Sequence, residues 1–451
     1  MSLILRLLYP FYRLFTSVRH WGRRRFTTAG VAMLIALAIV MPLAVDTENN
    51  VAYQAACLIL ALMIVAIGFG WRVRSHVAVE RILPRFASVG VPVQYPVQIR
   101  NLANKAQSGL TLIETLADSR PRAAEWVRFQ CAEERRLRRV AIWKRKMRHP
   151  FRVARFRAVE IPTLPPKQSA EVQMELTPLR RGVIHFESAT IGRPDPLGLF
   201  RALQSQPLPQ SLLVLPKRYF VPPVALPGAM KYQQGGVAMA SSVGQADEFV
   251  SLREYRRGDP YRHIHWRSWA KTGTPIVKEY EDEFFVRHAL VLDTFALDPF
   301  GEAFEEAVSV AASFACTVQT QESLLDLLFA GADAYCFTAG RGLAHADQLL
   351  EVLASVRANP NPHTFELLEE LVLNHASLVS GCIFVLLAWD EPRRELVRKI
   401  RMLGTPLLVI LLVEKGRGRN LDAGPMNDDP HNFHILEVGE VDEGLAKIDA
   451  R

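Results

Sequence analysis

Residues 253–283 read REYRRGDPYRHIHWRSWAKTGTPIVKEYEDE, a turn followed by a cationic aromatic stretch and then an acidic one. Gly258 permits a backbone turn with positive φ, which other residues rarely adopt. Asp259 can accept backbone N–H bonds as a helix cap, and Pro260 suits the first helical position, where no N–H donor is needed. We therefore predict a short helix that begins at Asp259.

The residues of this stretch resemble the signature of the bacterial domain-of-unknown-function family 58. The matching positions, in the family's order and spacing, are Arg253, Tyr255, Gly258, Asp259, Arg262, Ile264, Trp266, Lys278 and Glu281. Two upstream motifs fit as well, Pro-Leu-Gly-Leu-Phe at 196–200 and Leu-Val-Leu-Pro at 213–216. The resemblance implies a membrane hairpin, a β-rich middle and a von Willebrand A-like end. Because family members are commonly encoded beside MoxR-type AAA+ ATPases, it also implies such an ATPase as a partner.

Two interpretations of the signature segment remain open. A cationic helix beside an acidic strand can fix the linker to the domain that follows. Alternatively, the segment is a docking surface for another protein, because Arg, Tyr and Trp carry most of the binding energy at interfaces. In either case we expect Arg262 to pair with Asp259 or with the acidic run 279–283, and Trp266 and Trp269 to be packing anchors with polar tips.

Two uncharged apolar stretches near the N-terminus are each about as long as a bilayer core requires, residues 27–45 and 51–71. They predict a retained two-helix transmembrane hairpin, since a second span directly follows the first. The segment 1–26 is basic and amphipathic, which suits the membrane surface or packing on the protein itself. Arginines border both spans and are predicted to lie at the membrane surface: Arg23, Arg24, Arg25, Arg72 and Arg74. The positive-inside rule then puts both termini and the soluble domains in the cytoplasm, at the bacterial inner membrane.

The rest of the chain shows two kinds of hydrophobic pattern. Apolar residues alternate with period two between 75 and 215, which predicts an immunoglobulin-like β-sandwich. From residue 287 to 451 apolar strands alternate with helices, which predicts an open α/β sheet with helices on both faces. Between them we expect a connector at 216–250, rich in Pro, Gly, Gln and Ser, and the signature segment at 251–286.

The positive charge of the chain is concentrated in one insertion of the predicted sandwich. The net charge is +8, and residues 120–157 contain 14 Lys and Arg against 3 Asp and Glu, so the remainder carries about −3. This insertion is either a solvated basic face or a site for anionic lipid. Nucleic acid would reward the same charge, but no nucleic-acid fold signature accompanies the patch, and we expect no such partner.

Two carboxylates follow predicted strands of the α/β sheet, at the edge where such sheets bind ligands. They are Asp293 and Asp390. A von Willebrand A domain uses these places in a metal site, with the motif Asp-x-Ser-x-Ser after the first strand. Here the stretch reads Asp293-Thr-Phe-Ala-Leu, so both serine positions are apolar. We predict no cofactor, with Mg²⁺ or Mn²⁺ at these carboxylates as the alternative.

The sequence gives catalysis little support. It contains no Gly-Lys-Ser/Thr phosphate loop, no Gly-x-Ser-x-Gly elbow and no His-Glu-x-x-His motif. Its five cysteines have no Cys-x-x-Cys spacing, which is consistent with a reducing compartment. We predict a membrane-anchored adaptor that binds a MoxR-type ATPase and other envelope proteins. The alternatives are a metal-dependent or hydrolytic enzyme that uses Asp293 and Asp390, and a lipid binder that acts through 120–157.

Overall fold

The computed structural model divides the chain into two compact units, Met1–Leu215 and Pro216–Arg451. Each unit has its own sheets and its own buried residues. The residues that the structure describes are 2–43, 50–72, 76–138, 151–222, 231–232, 249–259, 261–280, 284–285, 287–296, 298, 301–319, 324–340, 343–361, 365–416, 418 and 421–448.

Three helices open the first unit: α1 (Ser2–Arg25), α2 (Thr28–Leu43) and α3 (Asn50–Arg72). Among the described residues, α3 is the one helix long and apolar enough to cross a membrane, over Val51–Gly70. Helix α2 is equally apolar, but its described part has 16 residues, fewer than a span requires. The structure therefore supports one of the two predicted spans by length and composition.

Nine strands form two sheets among the described residues of the remainder of this unit. They are β1 (Val77–Arg81), β2 (Phe86–Ser88), β3 (Val93–Asn101), β4 (Leu110–Leu116), β5 (Ala154–Phe156), β6 (Val159–Ile161), β7 (Ser169–Pro178), β8 (Gly182–Pro194) and β9 (Arg201–Leu215). One sheet has the order β1-β3-β7-β5, and the other has the order β2-β9-β8-β4-β6. Alternate residues of both sheets share one core, including Tyr95, Leu112, Met174 and Phe186. The predicted β-sandwich is thus present, and helix α4 (Ala123–Arg138) lies in its basic insertion.

The sandwich is fastened to the apolar helices through the Pro-Leu-Gly-Leu-Phe loop. Asp195 holds the loop closed, because its carboxylate accepts the backbone N–H of Phe200 at 2.6 Å. Phe200 and Leu199 are buried against α2 and α3. Gly30 and Gly70 allow this close approach, since a Cβ at Gly30 would lie 2.0 Å from the Leu199 oxygen, and one at Gly70 would lie 2.8 Å from the Phe200 ring. The loop motif therefore has a packing role in the first unit.

The second unit begins with a segment packed on its first long helix. Tyr219 and Val221 are buried, and the backbone N–H of Tyr219 donates to the Ser313 hydroxyl at 2.8 Å. The Tyr219 hydroxyl also donates to Glu306. The start of the predicted connector is therefore fixed in place, whereas most of 223–248 lies outside the described residues.

Among the described residues, two short two-stranded sheets and one short helix precede the main sheet: β10 (Lys231–Tyr232), β11 (Phe249–Glu254), α5 (Trp266–Thr272), β12 (Ile276–Tyr280) and β13 (Phe284–Phe285). Strand β10 pairs with β13, and β11 pairs with β12, both antiparallel. The main sheet contains β14 (Arg287–Leu292), β15 (Leu324–Ala330), β16 (Ala334–Ala339), β17 (Gly381–Leu386), β18 (Leu407–Val413) and β19 (Phe433–Glu437). Its order is β16-β15-β14-β17-β18-β19, and all pairs are parallel except β15 with β16.

Five helices accompany this sheet in the part of the chain that the structure describes: α6 (Glu302–Gln319), α7 (Leu343–Ser355), α8 (Phe365–Ala376), α9 (Glu391–Met402) and α10 (Val441–Ala446). Alternate residues of the central strands, such as Val291 and Phe384, pack in one core with α8 and α9. Their neighbours Leu290 and Ile383 are equally buried, on the face where α6 contacts the same strands. The predicted open sheet with helices on both faces is confirmed, and α10 was not predicted.

Candidate functional site

A closed turn connects β11 to the aromatic part of the signature. The Arg253 guanidinium donates to both Asp259 oxygens, at 2.7 and 2.8 Å, and the Arg256 backbone N–H donates to the same carboxylate at 2.8 Å. Gly258 has φ +112°, as its sequence position predicts. These hydrogen bonds, with that from Arg253 foremost, lower the pKa of Asp259 to about 2, so the carboxylate is ionised at neutral pH. The turn is therefore fixed by a bidentate ion pair.

The helix begins later than the sequence predicts. A 3₁₀ turn spans Tyr261–His263, and α5 starts at Trp266 with His265 as its N-cap. Asp259 does not cap this helix, because its oxygens are taken by Arg253 and by the turn. Arg253, and not Arg262, is the partner of Asp259. The other partner predicted for Arg262, the acidic run 279–283, lies largely outside the described residues, so that pairing stays a prediction.

The β11–β12 hairpin packs against the start of the aromatic stretch that leads into α5. Ile264 and Val277 are both buried and form an isolated antiparallel bridge, and the His265 N–H donates to the Ile276 oxygen at 2.8 Å. Lys278 lies opposite Leu252 in the hairpin register. Glu281 lies outside the described residues, so its predicted role stays a prediction. Ile264 of the signature therefore helps to hold the exposed part of the signature on the β11–β12 hairpin.

The outer side of the segment carries exposed aromatic rings among cations. Tyr261 is 75% exposed and stacks on Tyr255 at 6.1 Å between ring centroids, while Trp266 is 64% exposed and stacks on Trp269 at 5.2 Å. We define the basic aromatic surface as the exposed residues Arg256, Arg257, Tyr261, Arg262, Trp266, Arg267 and Lys271. Large aromatic rings held by stacking and left open to solvent are typical of protein interfaces.

The two strand-end carboxylates of the main sheet meet at a buried arginine. Strands β14 and β17 are neighbours, and Asp293 and Asp390 follow them at the same sheet edge. Arg393 of α9 donates from Nε to Asp293 Oδ2 at 2.6 Å and from a terminal nitrogen to Asp390 Oδ2 at 2.6 Å. Asp293 has no exposed surface, and it also accepts the N–H of Phe295 at 2.9 Å and of Leu387 at 3.0 Å.

This arrangement does not suit a divalent cation. The Arg393 guanidinium pairs with both Asp293 and Asp390 and supplies the positive charge between them. Burial alone would lower the pKa of Arg393, but the carboxylate of Asp293, and after it that of Asp390, raises this pKa above its usual value. Within the described residues, no group of three or more His, Cys, Asp or Glu side chains is arranged to hold a metal. Asp390 instead caps α9, accepting the Arg393 backbone N–H at 3.4 Å.

Sequence reasoning missed Arg393. The available signal was its position three residues after Asp390, in the first turn of a helix, where a side chain can reach back to the cap. Its contact with Asp293 joins residues 100 positions apart, and no local pattern predicts that.

The predicted membrane-surface arginines have varied surroundings. Arg24 donates to the Thr115 hydroxyl, and the Arg25 guanidinium lies over the Trp21 and Phe200 rings at 5.5 and 5.7 Å. Arg23 is exposed. Arg74 lies outside the described residues, and nothing is described of the Arg72 side chain.

Comparisons with known proteins support the resemblance at the level of the family. The family model described as "Protein of unknown function DUF58" matches residues 251–444. An uncharacterised protein of Bacillus subtilis, YeaD, is 30% identical over 190 residues, which is 42% of this chain and 46% of YeaD. The chain thus matches about half the length of that relative.

Solved structures match the chain only loosely. Escherichia coli alpha-2-macroglobulin is 15% identical with a TM-score of 0.19, over 40% of this chain and 9% of that one. The CARDB domain of a Pyrococcus furiosus protein is 12% identical with a TM-score of 0.17, over 31% and 94% of the two chains. Scores this low carry no argument about fold or function. The signature and the main sheet both lie within residues 251–444, the part of the chain that is similar to the DUF58 family of proteins of unknown function.

Proposed function

We propose that this protein is a membrane-anchored adaptor that binds a partner protein through its basic aromatic surface. The observation that carries the proposal is the exposure of Tyr261 and Trp266 on a segment whose backbone is fixed by the Arg253–Asp259 pair. Exposed rings that are already ordered lose little conformational entropy on binding. Such residues, with arginines beside them, dominate the energy of protein interfaces.

The charge of the surface selects the kind of partner. Five of its seven residues are Lys or Arg, and Asp259 beside it is already neutralised by Arg253. An acidic face is therefore the complementary partner, and arginine can bind its carboxylates in bidentate geometry. By association with the family, we propose a MoxR-type AAA+ ATPase as that partner, in protein assembly or maturation at the cell envelope.

The proposed anchor is a two-pass hairpin with both soluble units in the cytoplasm. Helix α3 meets the length of a span, and α2 is apolar throughout and packs against it. The arginines at the ends of these helices support a cytoplasmic orientation. At the same finer level we propose an immunoglobulin-like sandwich and a degenerate von Willebrand A-like domain, in which Arg393 replaces the metal.

The test is binding of purified MoxR-type ATPase to the full-length protein in nanodiscs, measured by biolayer interferometry. We expect Trp266→Ala and Arg262→Ala each to weaken binding by about 2 kcal/mol, roughly thirtyfold in Kd. Matched controls in the same unit are Met402→Ala, which removes another exposed apolar side chain, and Lys447→Ala, which removes another exposed cation. Both controls should bind as the wild type does.

Equal binding by all four folded variants would reject the basic aromatic surface as the docking site. If the wild type does not bind the ATPase at all, crosslinking in native membranes followed by mass spectrometry tests for another acidic partner. Loss of every specific crosslink in Trp266→Ala would then support the surface and reject the ATPase. The enzyme alternative gains no support from carboxylates that are already bonded to Arg393.

A further inference from the structure

One face of α1 exposes a continuous apolar stripe. Its residues recur every three or four positions, so they share one side of the helix. Phe11 is 70% exposed and Phe15 is 67% exposed, and their neighbours along the stripe are also exposed. The apolar stripe consists of Leu7, Leu8, Phe11, Leu14, Phe15, Val18 and Trp21. Seven large apolar side chains in one exposed row exceed what a soluble surface normally presents.

The opposite face of α1 is packed on the protein. The rings of Tyr9 and Tyr12 lie 5.9 and 5.1 Å from the Trp126 ring of α4, and the Tyr9 hydroxyl donates to the Pro121 oxygen at 2.8 Å. Arg120 donates to the Ser17 hydroxyl from the same side. These contacts fix the rotation of α1 about its axis, so the stripe faces away from α4.

Arginines border the stripe on both sides. At 100° per residue, Arg6 and Arg13 fall on one border, directly before Leu7 and Leu14, while Arg19 falls on the other. The helix contains six arginines and no acidic residue, with the rest at Arg23, Arg24 and Arg25. An apolar row between two cationic borders matches the cross-section of an anionic membrane surface, where acyl chains lie beneath negative headgroups.

The position of α1 in the chain agrees with this occupant. Only Phe26 and Thr27 separate α1 from the apolar helix α2. Gly30 near the start of α2 and Gly70 near the end of α3 both contact the 196–200 loop. The start of α2 and the end of α3 therefore lie side by side, at one level along the axes of the two helices. Helix α1 ends at that level, because the Phe26 backbone bridges to Phe200. If α3 crosses a bilayer, this level is its surface.

We infer that α1 lies in the interfacial layer of an anionic leaflet, with its apolar stripe among the acyl chains and its border residues Arg6, Arg13 and Arg19 at the headgroups. This inference rests on the membrane anchoring by α3 in the proposed function. It assigns lipid contact to α1, whereas the basic insertion 120–157 contributes Arg120 and α4 as the support behind the helix. The interfacial helix would restrict the tilt of the first unit relative to the membrane.

The test is photocrosslinking of the full-length protein in nanodiscs of phosphatidylcholine and phosphatidylglycerol. The probe p-benzoylphenylalanine replaces one aromatic residue at a time, at Phe11 or Phe15 of the stripe. Phe69 of α3 is the control for membrane insertion, and Phe220, which is 73% exposed in the second unit, is the control for exposure alone. Tyr9 is the control for the protein-facing side of α1. Lipid adducts are counted by mass spectrometry.

We expect lipid adducts at Phe11 and Phe15 at a yield similar to that at Phe69 and at least about tenfold above that at Phe220. Tyr9 should crosslink to protein. Replacing phosphatidylglycerol by phosphatidylcholine should lower the yield at Phe15 while leaving Phe69 unchanged. Adducts at Phe69 without adducts at Phe11 and Phe15 would overturn the inference and leave the anchor intact. Protein adducts at Phe11 would overturn it in favour of a protein contact, and absence of lipid adducts at Phe69 would overturn the inference and the anchor together.

Discussion

Replacing Arg393 by Met should destabilise the second unit by about 3 kcal/mol. The change keeps an apolar stem of similar length but leaves Asp293, which has no exposed surface, without its cation. Removing one partner of a buried ion pair costs about 3–5 kcal/mol. The lower end applies here because Asp293 keeps its two backbone donors, the N–H groups of Phe295 and Leu387. For a unit of this size that loss corresponds to about 6–12 °C in melting temperature.

The assay is hydrogen exchange with mass spectrometry on the full-length protein, because it reports on the main sheet separately from the first unit. The slowest amides of β17 and β18 should exchange about 100-fold faster in Arg393→Met. Arg398→Met is the matched control, since Arg398 lies on the same helix but is 41% exposed and pairs with Glu391 and Glu395. Its effect should stay below about 1 kcal/mol. Equal exchange in the two variants would refute the reasoning, as would stabilisation of the wild type by Mg²⁺ or Mn²⁺ that Asp293→Asn abolishes.

Two further predictions concern packing and pH. Gly30→Ala should destabilise the first unit by about 1–3 kcal/mol, because its Cβ would lie 2.0 Å from the Leu199 oxygen, and faster proteolysis of the 196–200 loop should report the change. Gly68→Ala is the control, since nothing lies within 4 Å of a Cβ at this position. An equal effect of the two substitutions would count against close packing of the 196–200 loop on α2. Burial lowers the pKa of His288 from 6.5 to about 4, so the unfolded chain binds this proton first as pH falls. Stability should drop by about 2 kcal/mol between pH 7 and 5, and His288→Gln should remove that drop in denaturant titrations at both pH values.

Hydrophobic periodicity predicts most of the main sheet because burial on two faces leaves a clear pattern. Strands such as β18, Leu-Leu-Val-Ile-Leu-Leu-Val, are apolar at every position, and the helices between them have one apolar side. The same reasoning locates Asp293 and Asp390 at one sheet edge, since parallel neighbours end there together. The environment of these carboxylates is not predictable in this way, because Arg393 reaches Asp293 from a distant helix.

The signature shows where local rules fail. Gly-Asp-Pro is a good start for a helix by residue preference, and the sequence supports that prediction. Arg253 takes the Asp259 carboxylate through two hydrogen bonds, and α5 starts seven residues later at Trp266. The bidentate pair fixes the carboxylate in the turn, so it does not cap α5. Which of two arginines makes that pair depends on the hairpin that brings β11 beside the turn.

The signature residues divide by what a substitution would change. Arg253, Gly258 and Asp259 form the turn, so their loss would disturb the segment before it affected a partner. Arg262 and Trp266 are exposed, so their loss should leave the turn intact and, under the proposed function, weaken binding. If the segment only fixed the linker to the main sheet, substitutions of the exposed residues and of the turn residues would differ only in how much they destabilise the protein. A variant that keeps wild-type exchange protection at β11 and β12 but fails to bind therefore separates a docking surface from a structural linker.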